Sequence, residues 1–582
     1  MNALAELRRR FAAALSPYAE GPQLDELLEM VRPSQDAKFG DYQANVAMPL
    51  GKRFGKKPRD IAQEIVDRLD VADICEPPEL AGPGFINLRL KDFWVEQSLK
   101  AALNDDRLGV PPVEHPRRYI IDFSAPNVAK PMHVGHIRST VIGDSLCRTL
   151  RFLGHTVVSD NHLGDWGTQF GMIIYGYKQD PALRQRIEQS TELHEQIELL
   201  GGLYAQLSKA SKEDPALQQA VLQETAKLHA GDPENLAIWK EVLPPALAAI
   251  DEVYRRLDVS FDVTLGESFY HDQLAATVDD LVARGIAKES DGALCVFFEG
   301  SETPMIVRKR DGAFLYSTTD LATIRYRVGR WHPDAILYVV DHRQSLHFDH
   351  LFATAKLWGY DKLEFKHVSF GTVLGDDGRP FKTRSGDTVG LTSLLDEAVA
   401  RALKIVSNND TASERSAEER QRTAEIVGIG ALKYADLAQS RTSDYTFSYD
   451  KMLAMNGNTA TYMQYAYARV RSIFRRGNVD AESLRAAGKL IMLREPAEKA
   501  LGRKLMRFSE ALDMAVLDYR PHMLTTYLFE LAESYSTFFE QCQVLKADTP
   551  DVRDSRLLLC DLTARTIKKG LDLLGISVVE QM

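Results

Sequence analysis

The chain of 582 residues has no hydrophobic run long enough to span a bilayer. Its longest apolar stretches, such as AILYVV at 335–340, fall far short of the ~20 residues a spanning helix needs. The opening MNALAELRRRFAAALSPYAEG lacks the apolar core and small-residue cleavage site of a secretory signal, so the expected address is the cytoplasm and a membrane is not an expected partner. Cysteine is scarce. Cys75, Cys147, Cys295, Cys542 and Cys560 are scattered with no CxxC pair, which excludes a disulfide framework and a cysteine zinc site, and HExxH is missing too; no metal ligands are expected from the protein. There is no internal repeat and no Gly-rich phosphate loop. Positive charge is in the minority: 71 Lys and Arg against 82 Asp and Glu leave −11, which argues against a protein that coats nucleic acid without specificity. The apolar and charged fractions are average for globular chains, so disorder and coiled coil are excluded, and the length suggests roughly three to five structural units.

What is present is organised in three parts. Residues 1–112 open with Leu4, Leu7, Phe11 and Leu15 at helical spacing, and AGPGFINLRL (81–90) alternates as a half-buried strand, giving a small α+β unit closed by the Pro-rich VPPVEHP at 110–116. In the second part, 113–390, RYIIDF (118–123) predicts a strand. A helix follows, carrying Ile137, Val141, Leu146, Leu150 and Leu153 and stopping at Gly154, and then the strand TVVSD (156–160). Strand, loop, helix and strand within about 40 residues make a βαβ unit, so the fold class is α/β with a Rossmann-type, doubly wound parallel sheet. Further strands are expected at AILYVVD (335–341) and KHVSFGTV (366–373). Residues from about 178 to 290 are rich in helix formers and predict a helical insertion. From 391 to 582 almost every periodic stretch is helical, and SNNDTASERSAEERQRTAE (407–425) reads as a solvated helix entry or a loop.

The most informative string is DFSAPNVAKPMHVGHIRST at 122–140. It sets Asn127, Lys130, His133, Gly135 and His136 between a strand end and the first turn of a helix, where unsatisfied N–H groups and the macrodipole favour phosphate. Gly135 would leave room for a nucleotide against the backbone, and both imidazoles can donate to phosphate oxygens. Lys130 beside the histidines disfavours a metal there.

SAPNVAKPMHVGHIRST resembles the HIGH signature region of class I aminoacyl-tRNA synthetases, in the form of the arginyl branch. GDWGTQFG (164–171), LYSTTDLA (315–322), YVVDHRQSLHF (338–348), YMQYAYARVRSI (462–473) and the LDLLGI tail (571–576) continue the resemblance over nearly the whole chain. The second signature, KMSKS, departs from the pattern: FKTRSG (381–386) stands in its place without the second lysine. The arginyl branch often replaces that lysine by the one upstream of HxGH, here Lys130, while Lys382 and Arg384 remain candidates for closing over ATP. Cysteinyl and methionyl relatives commonly use zinc clusters absent here, and the branched-chain ones carry an editing domain this length does not accommodate.

The resemblance implies an arginine–tRNA ligase: ATP, with Mg2+, activates arginine to arginyl-adenylate, and the arginyl group passes to the 3′ end of the tRNA. It also implies a cytoplasmic protein, usually monomeric. Selecting a guanidinium over an ammonium calls for carboxylates that pair bidentately with a planar fork. Tyr316 and Asp320, four apart on one helical face, match the positions that bind the arginine side chain, although an aspartate there also suits a helix cap. Asp122, Asn127 and Gln344 match positions that hold the amino acid. Residues 461–476 carry four arginines and no acid; as a helix they bury Met463, Tyr467, Val470 and Phe474, leaving Gln464, Tyr465, Arg469, Arg471 and Arg475 outward to stack on bases and pair with phosphates. That suits the branch's helical anticodon-binding part, expected from about 455. The small N-terminal part would touch the outer corner of the tRNA.

Overall fold

The computed structural model describes residues 2–190, 192–381, 389–408 and 415–582, with the backbone alone at 193 and 194. At its centre lies a five-stranded parallel sheet: β1 (Arg118–Asp122), β2 (Thr156–Leu163), β3 (Val263–Gly266), β4 (Ala335–Tyr338) and β5 (Glu364–His367). Their spatial order is β5-β4-β1-β2-β3, all parallel. Tyr119, Ile121, Ala335 and Leu337 point into the main core, whereas Ile120 and Ile336 point into a second core with Leu321, Ile324, Phe348 and Leu351. Both faces are covered, which is why these short strands are apolar throughout instead of alternating.

Helix α1 (Val134–Leu153) returns the chain from β1 to β2 and ends at Gly154, whose φ of 102° is the left-handed cap the sequence predicts. Its Ile137, Val141, Leu146, Leu150 and Leu153 are buried, and so are Arg138 and Asp144, because helices from the C-terminal part cover its other side. A helical excursion ending in α2 (Pro233–Leu257) then leads to β3. The expected insertion at 178–290 is therefore too long: Val263–Gly266 pairs with β2 and belongs to the sheet, and 287–308 forms a three-stranded antiparallel sheet. Four-residue strands such as VTLG carry too little pattern to stand out beside long helices. Helix α3 (Tyr316–Trp331) precedes β4, and α4 (Ser345–Leu357) joins β4 to β5. The last expected strand is also shorter than read: it ends at His367, and Val373–Leu374 pairs separately with Tyr445–Thr446.

In the N-terminal part Leu4, Leu7, Phe11 and Leu15 are buried under a four-stranded antiparallel sheet that includes Phe85–Leu88. This unit docks on the C-terminal helices: Asn2 donates to Ser509 and Asp513, and Arg503 bridges Asp41 and Asp92. The C-terminal helices include α5 (Ala417–Leu437), α6 (Ala460–Gly477), α7 (His522–Gln541) and α8 (Pro550–Leu573). No helix among the described residues is long and apolar enough to cross a membrane.

Candidate functional site

Strand order reverses between β1 and β4, and ligands of such sheets bind beyond the carboxyl ends of the strands at that point. The loop leaving β1 is strained there: Ser124 and Ala125 have φ of 69° and 43°. Such conformations cost roughly 1–3 kcal/mol each in a residue with a side chain and persist only when the surroundings fix them. Here Ser139 Oγ takes the Ser124 N–H, Asn161 Oδ1 takes the Ala125 N–H, and Tyr254 of α2 bonds Ser124 Oγ at 2.8 Å. The strained turn delivers Asn127, half-buried, against Gly164 of the GDWGTQFG segment, where Val128 N–H donates to the Gly164 carbonyl.

His133 is the N-cap of α1 and His136 its third residue, and they form a reciprocal capping box. His133 Nδ1 accepts from Gly135 N–H at 3.1 Å, and His136 Nδ1 accepts from His133 N–H at 3.0 Å. Each ring therefore keeps its proton on Nε2, and neither Nε2–H has a hydrogen-bond partner among the described residues. Burial and then Lys130 lower the His133 pKa; burial, then His133, push His136 down to about 4, so both are neutral at pH 7. Two expectations need correction. The first-turn amides are not free, since Val134 N–H also bonds Val389 and His136 N–H bonds the His133 carbonyl. Nor does Gly135 leave room for a base: a side chain there would strike the His133 ring at 2.8 Å, and the glycine lets that ring fold over the backbone.

The second signature segment lies beside the first. His133 bridges Gly390, and Leu391 N–H donates to Met132. Lys382 and Arg384 themselves lie outside the described residues. Lys130 has no carboxylate partner among the described residues; its ammonium faces the Tyr204 ring at 5.6 Å.

Acids gather on the other side of the switch point. Asp320 accepts from His347 Nε2 at 2.7 Å and caps no helix; Tyr316, 67% exposed at the first turn of α3, meets the same His347 ring edge-on at 5.6 Å. Gln344, exposed, ends the turn after β4. Glu267, which sequence reasoning missed, follows β3 directly; its carboxylate makes no hydrogen bond among the described residues, and burial, then Asp320 and Asp165, push its pKa up to about 7. Nothing in LGESFY marks it, and only the return of β3 to the sheet brings it to α3. Asp122, expected among the residues that hold the amino acid, has its Oδ2 bound by Arg327 at 2.6 Å in the buried floor of the site, where α3 covers the strand end; Oδ1 makes no hydrogen bond among the described residues. No three His, Cys, Asp or Glu among the described residues are grouped to hold a metal.

On α6 the predicted core stripe of Met463, Tyr467, Val470 and Phe474 is buried. Gln464 is not outward: it is 0% exposed and donates to the carbonyls of Ile426 and Ser577, because α5 and the C-terminal tail cover that side. Tyr465 is exposed, and Arg469 lies on the Phe539 ring of α7 at 4.0 Å. Arg471 is paired with Glu580 at 3.0 Å, and Arg475 donates to the Glu580 carbonyl.

Residues 98–449 match the family model described as tRNA synthetases class I (R), catalytic domain; 463–582 match the DALR anticodon binding domain, and 5–90 the arginyl tRNA synthetase N terminal domain. The chain is 49% identical to an arginine–tRNA ligase of Rhodopirellula baltica over 99% of both chains, and 44% identical to one of Synechococcus elongatus over 100% of this chain and 99% of the other. Among solved structures, the arginyl-tRNA synthetase of Plasmodium falciparum superposes with a TM-score of 0.85 at 29% identity, covering 100% of this chain and 99% of that one. That of Thermus thermophilus gives 0.81 at 25% identity over the whole of both.

Proposed function

The chain belongs to the arginyl class I tRNA synthetase family, and from that premise we propose how its residues divide the reaction. The enzyme activates arginine with ATP, releasing pyrophosphate, and transfers the arginyl group to the 3′ end of its tRNA. The observation that carries our assignment is that two neutral imidazoles at the start of α1, the helix that follows β1, and a cluster of acids around Asp320 and Glu267 are both brought to the parallel sheet's switch-point region. In the activation step the arginine carboxylate attacks the α-phosphorus and pyrophosphate leaves, so charge builds on the phosphoryl oxygens. The Nε2–H groups of His133 and His136, already fixed by the capping box, meet that charge without reorganising. Lys130, with Lys382 and Arg384, supplies the positive charge, and Mg2+ arrives with ATP.

The acids hold the amino acid. Asp320 and Glu267 supply the carboxylates for the guanidinium fork, and Tyr316 closes the entrance. Asp122 Oδ1, Asn127 and Gln344 fix the α-ammonium and carboxylate ends. For the tRNA, Tyr465 and the Arg469–Phe539 pair form the stacking face of α6, with Arg471 and Arg475 beside it at the tail; the N-terminal unit meets the outer corner. The working parts are 1–112, 113–390 and 391–582, and the enzyme acts as a monomer in the cytoplasm, a reducing address that the five buried free cysteines support.

The test is charging of total tRNA with each of the twenty amino acids, run on the wild type and on Glu267→Gln. We expect arginine alone to be charged, and the variant to lose at least about tenfold in kcat/KM for arginine. Wild-type arginine kinetics in Glu267→Gln would remove that residue from the guanidinium pocket.

A further inference from the structure

Seven residues beyond Asp320, on the same face of α3, lies Arg327. It is 0% exposed. Its Nε donates to Asp160 Oδ2 at 2.9 Å and its Nη2 to Asp122 Oδ2 at 2.6 Å. Those two aspartates are register partners on the neighbouring strands β1 and β2, Asp122 closing β1 and Asp160 lying within β2, so the sheet itself sets two carboxylates side by side. The guanidinium also lies 5.5 Å from the centre of the Tyr338 ring. A planar fork paired with two carboxylates and backed by an aromatic ring is a guanidinium seat, and here the chain's own arginine fills it.

The site thus contains two places suited to the same group. Five acids converge on it, Asp122, Asp160, Asp165, Glu267 and Asp320, with Arg327 the one arginine or lysine paired among them in the described residues. The substrate brings a guanidinium and an α-ammonium. We propose that Arg327 is a positioning residue for arginine selection: it occupies the deeper seat between Asp122 and Asp160, so that the substrate's guanidinium has only the Asp320–Glu267 seat and its carboxylate is left facing His133 and His136. The proposal rests on the reading of Asp320 and Glu267 given above. Emptied, the deeper seat presents two buried, uncompensated carboxylates, an arrangement that strongly favours any cation of the right shape. Free arginine fits it in an orientation that cannot react.

Unproductive binding of this kind has a kinetic signature. It lowers kcat and KM together and leaves kcat/KM nearly unchanged, whereas loss of a merely structural tie lowers the active fraction with KM unaltered. The experiment uses the full chain with saturating tRNA and MgATP and compares wild type, Arg327→Ala and the charge-neutral double variant Asp160→Asn with Arg327→Met. For Arg327→Ala we expect kcat and KM for arginine to fall in parallel by about thirtyfold. Guanidinium chloride at about 10 mM should restore kcat by refilling the seat through mass action, while ammonium chloride at equal ionic strength should not. The double variant breaks up the paired fork but leaves Asp122 without its cation, so kcat and KM should fall in parallel by only about threefold, instead of about thirtyfold, and it carries the test if Arg327→Ala does not fold.

Three results would overturn the proposal: wild-type kcat and KM in folded Arg327→Ala, a lowered kcat with unchanged KM and no response to guanidinium, or a double variant as impaired as a broken tie predicts. Asp320→Asn, assayed alongside, separates the two readings. If it keeps wild-type kcat/KM, the shallow seat is wrong whatever Arg327 does; if it loses arginine activation while the Arg327 variants fail as above, only the present inference falls.

Discussion

Asp320→Asn is the sharpest perturbation of the proposed arginine pocket. The carboxylate is only 23% exposed, its Oδ2 is already engaged by His347 at 2.7 Å, and its charge is one of the causes that hold the Glu267 carboxyl up to about 7. Asparagine keeps the shape but exchanges an ionic acceptor for a neutral amide. Breaking one member of a desolvated ion pair costs about 3–5 kcal/mol, which corresponds to a fall in kcat/KM for arginine of roughly 100- to 5,000-fold. A second consequence has a definite sign. Removing Asp320 removes a like charge from Glu267, so its pKa should fall toward the ordinary carboxylate range. In the wild type, kcat/KM for arginine should rise as pH increases through about 7, because binding a guanidinium needs Glu267 ionised. In Asp320→Asn that inflection should move to lower pH. Citrulline, neutral and unable to compensate a buried charge, should be rejected less strongly by the variant than by the wild type. The assay is arginine-dependent pyrophosphate exchange with saturating tRNA between pH 5.5 and 8.5 (roughly the span over which such groups titrate). An arginine kcat/KM within about threefold of wild type, less than ~0.7 kcal/mol, together with an unmoved inflection, would refute the reasoning.

His133→Ala and His136→Ala should each slow adenylate formation by about 100–1,000-fold while costing only ~1 kcal/mol of stability through the lost cap, read by single-turnover kinetics and thermal denaturation of the same samples. Lys130→Ala should impair the activation step with little change in tRNA affinity; an unaffected single-turnover rate would move its role to Lys382 or Arg384. Arg469→Glu should weaken tRNA binding and reduce its salt dependence by about one counterion per lost phosphate contact, and excess tRNA should rescue its charging rate. A properly folded variant that excess tRNA does not rescue would show that Arg469 serves the chemistry instead.

The sequence made the placement of the candidate residues legible wherever chemistry and a local period coincide. Tyr316 and Asp320 are four apart on a helix, and the capping histidines and their glycine sit within four residues, so neighbours in sequence stay neighbours in the fold. The core stripe of α6 was visible for the same reason. Legibility fails where partners are brought together by the sheet. Asp122 and Arg327 are separated by 205 positions. Glu267 reaches α3 only because β3, four residues long and hidden behind a long helical stretch, returns to the sheet edge. Gln464 shows the converse limit: helical periodicity gives a face but not what covers it, and the tail that buries this glutamine is more than a hundred residues away. Glycine was informative about position and misleading about purpose, since a backbone pattern says that a side chain is excluded without saying what excludes it.

The separation of charge across the switch point is a requirement of the reaction, not a by-product of composition. ATP is a polyanion and arginine carries two cationic groups, and the reacting carboxylate and α-phosphorus must nevertheless meet within bonding distance. A site lined by cations alone would hold ATP and repel arginine; one lined by acids alone would do the opposite. In the assignment proposed above, the fold resolves this by drawing the acids from β1, β2, the segment after β3 and α3, and the donors meant for phosphate from the N-terminus of α1. Under the proposed assignment the imidazoles suit their place because burial keeps them neutral: as donors they would respond to charge developing on the phosphoryl oxygens without adding a full positive charge beside Lys130.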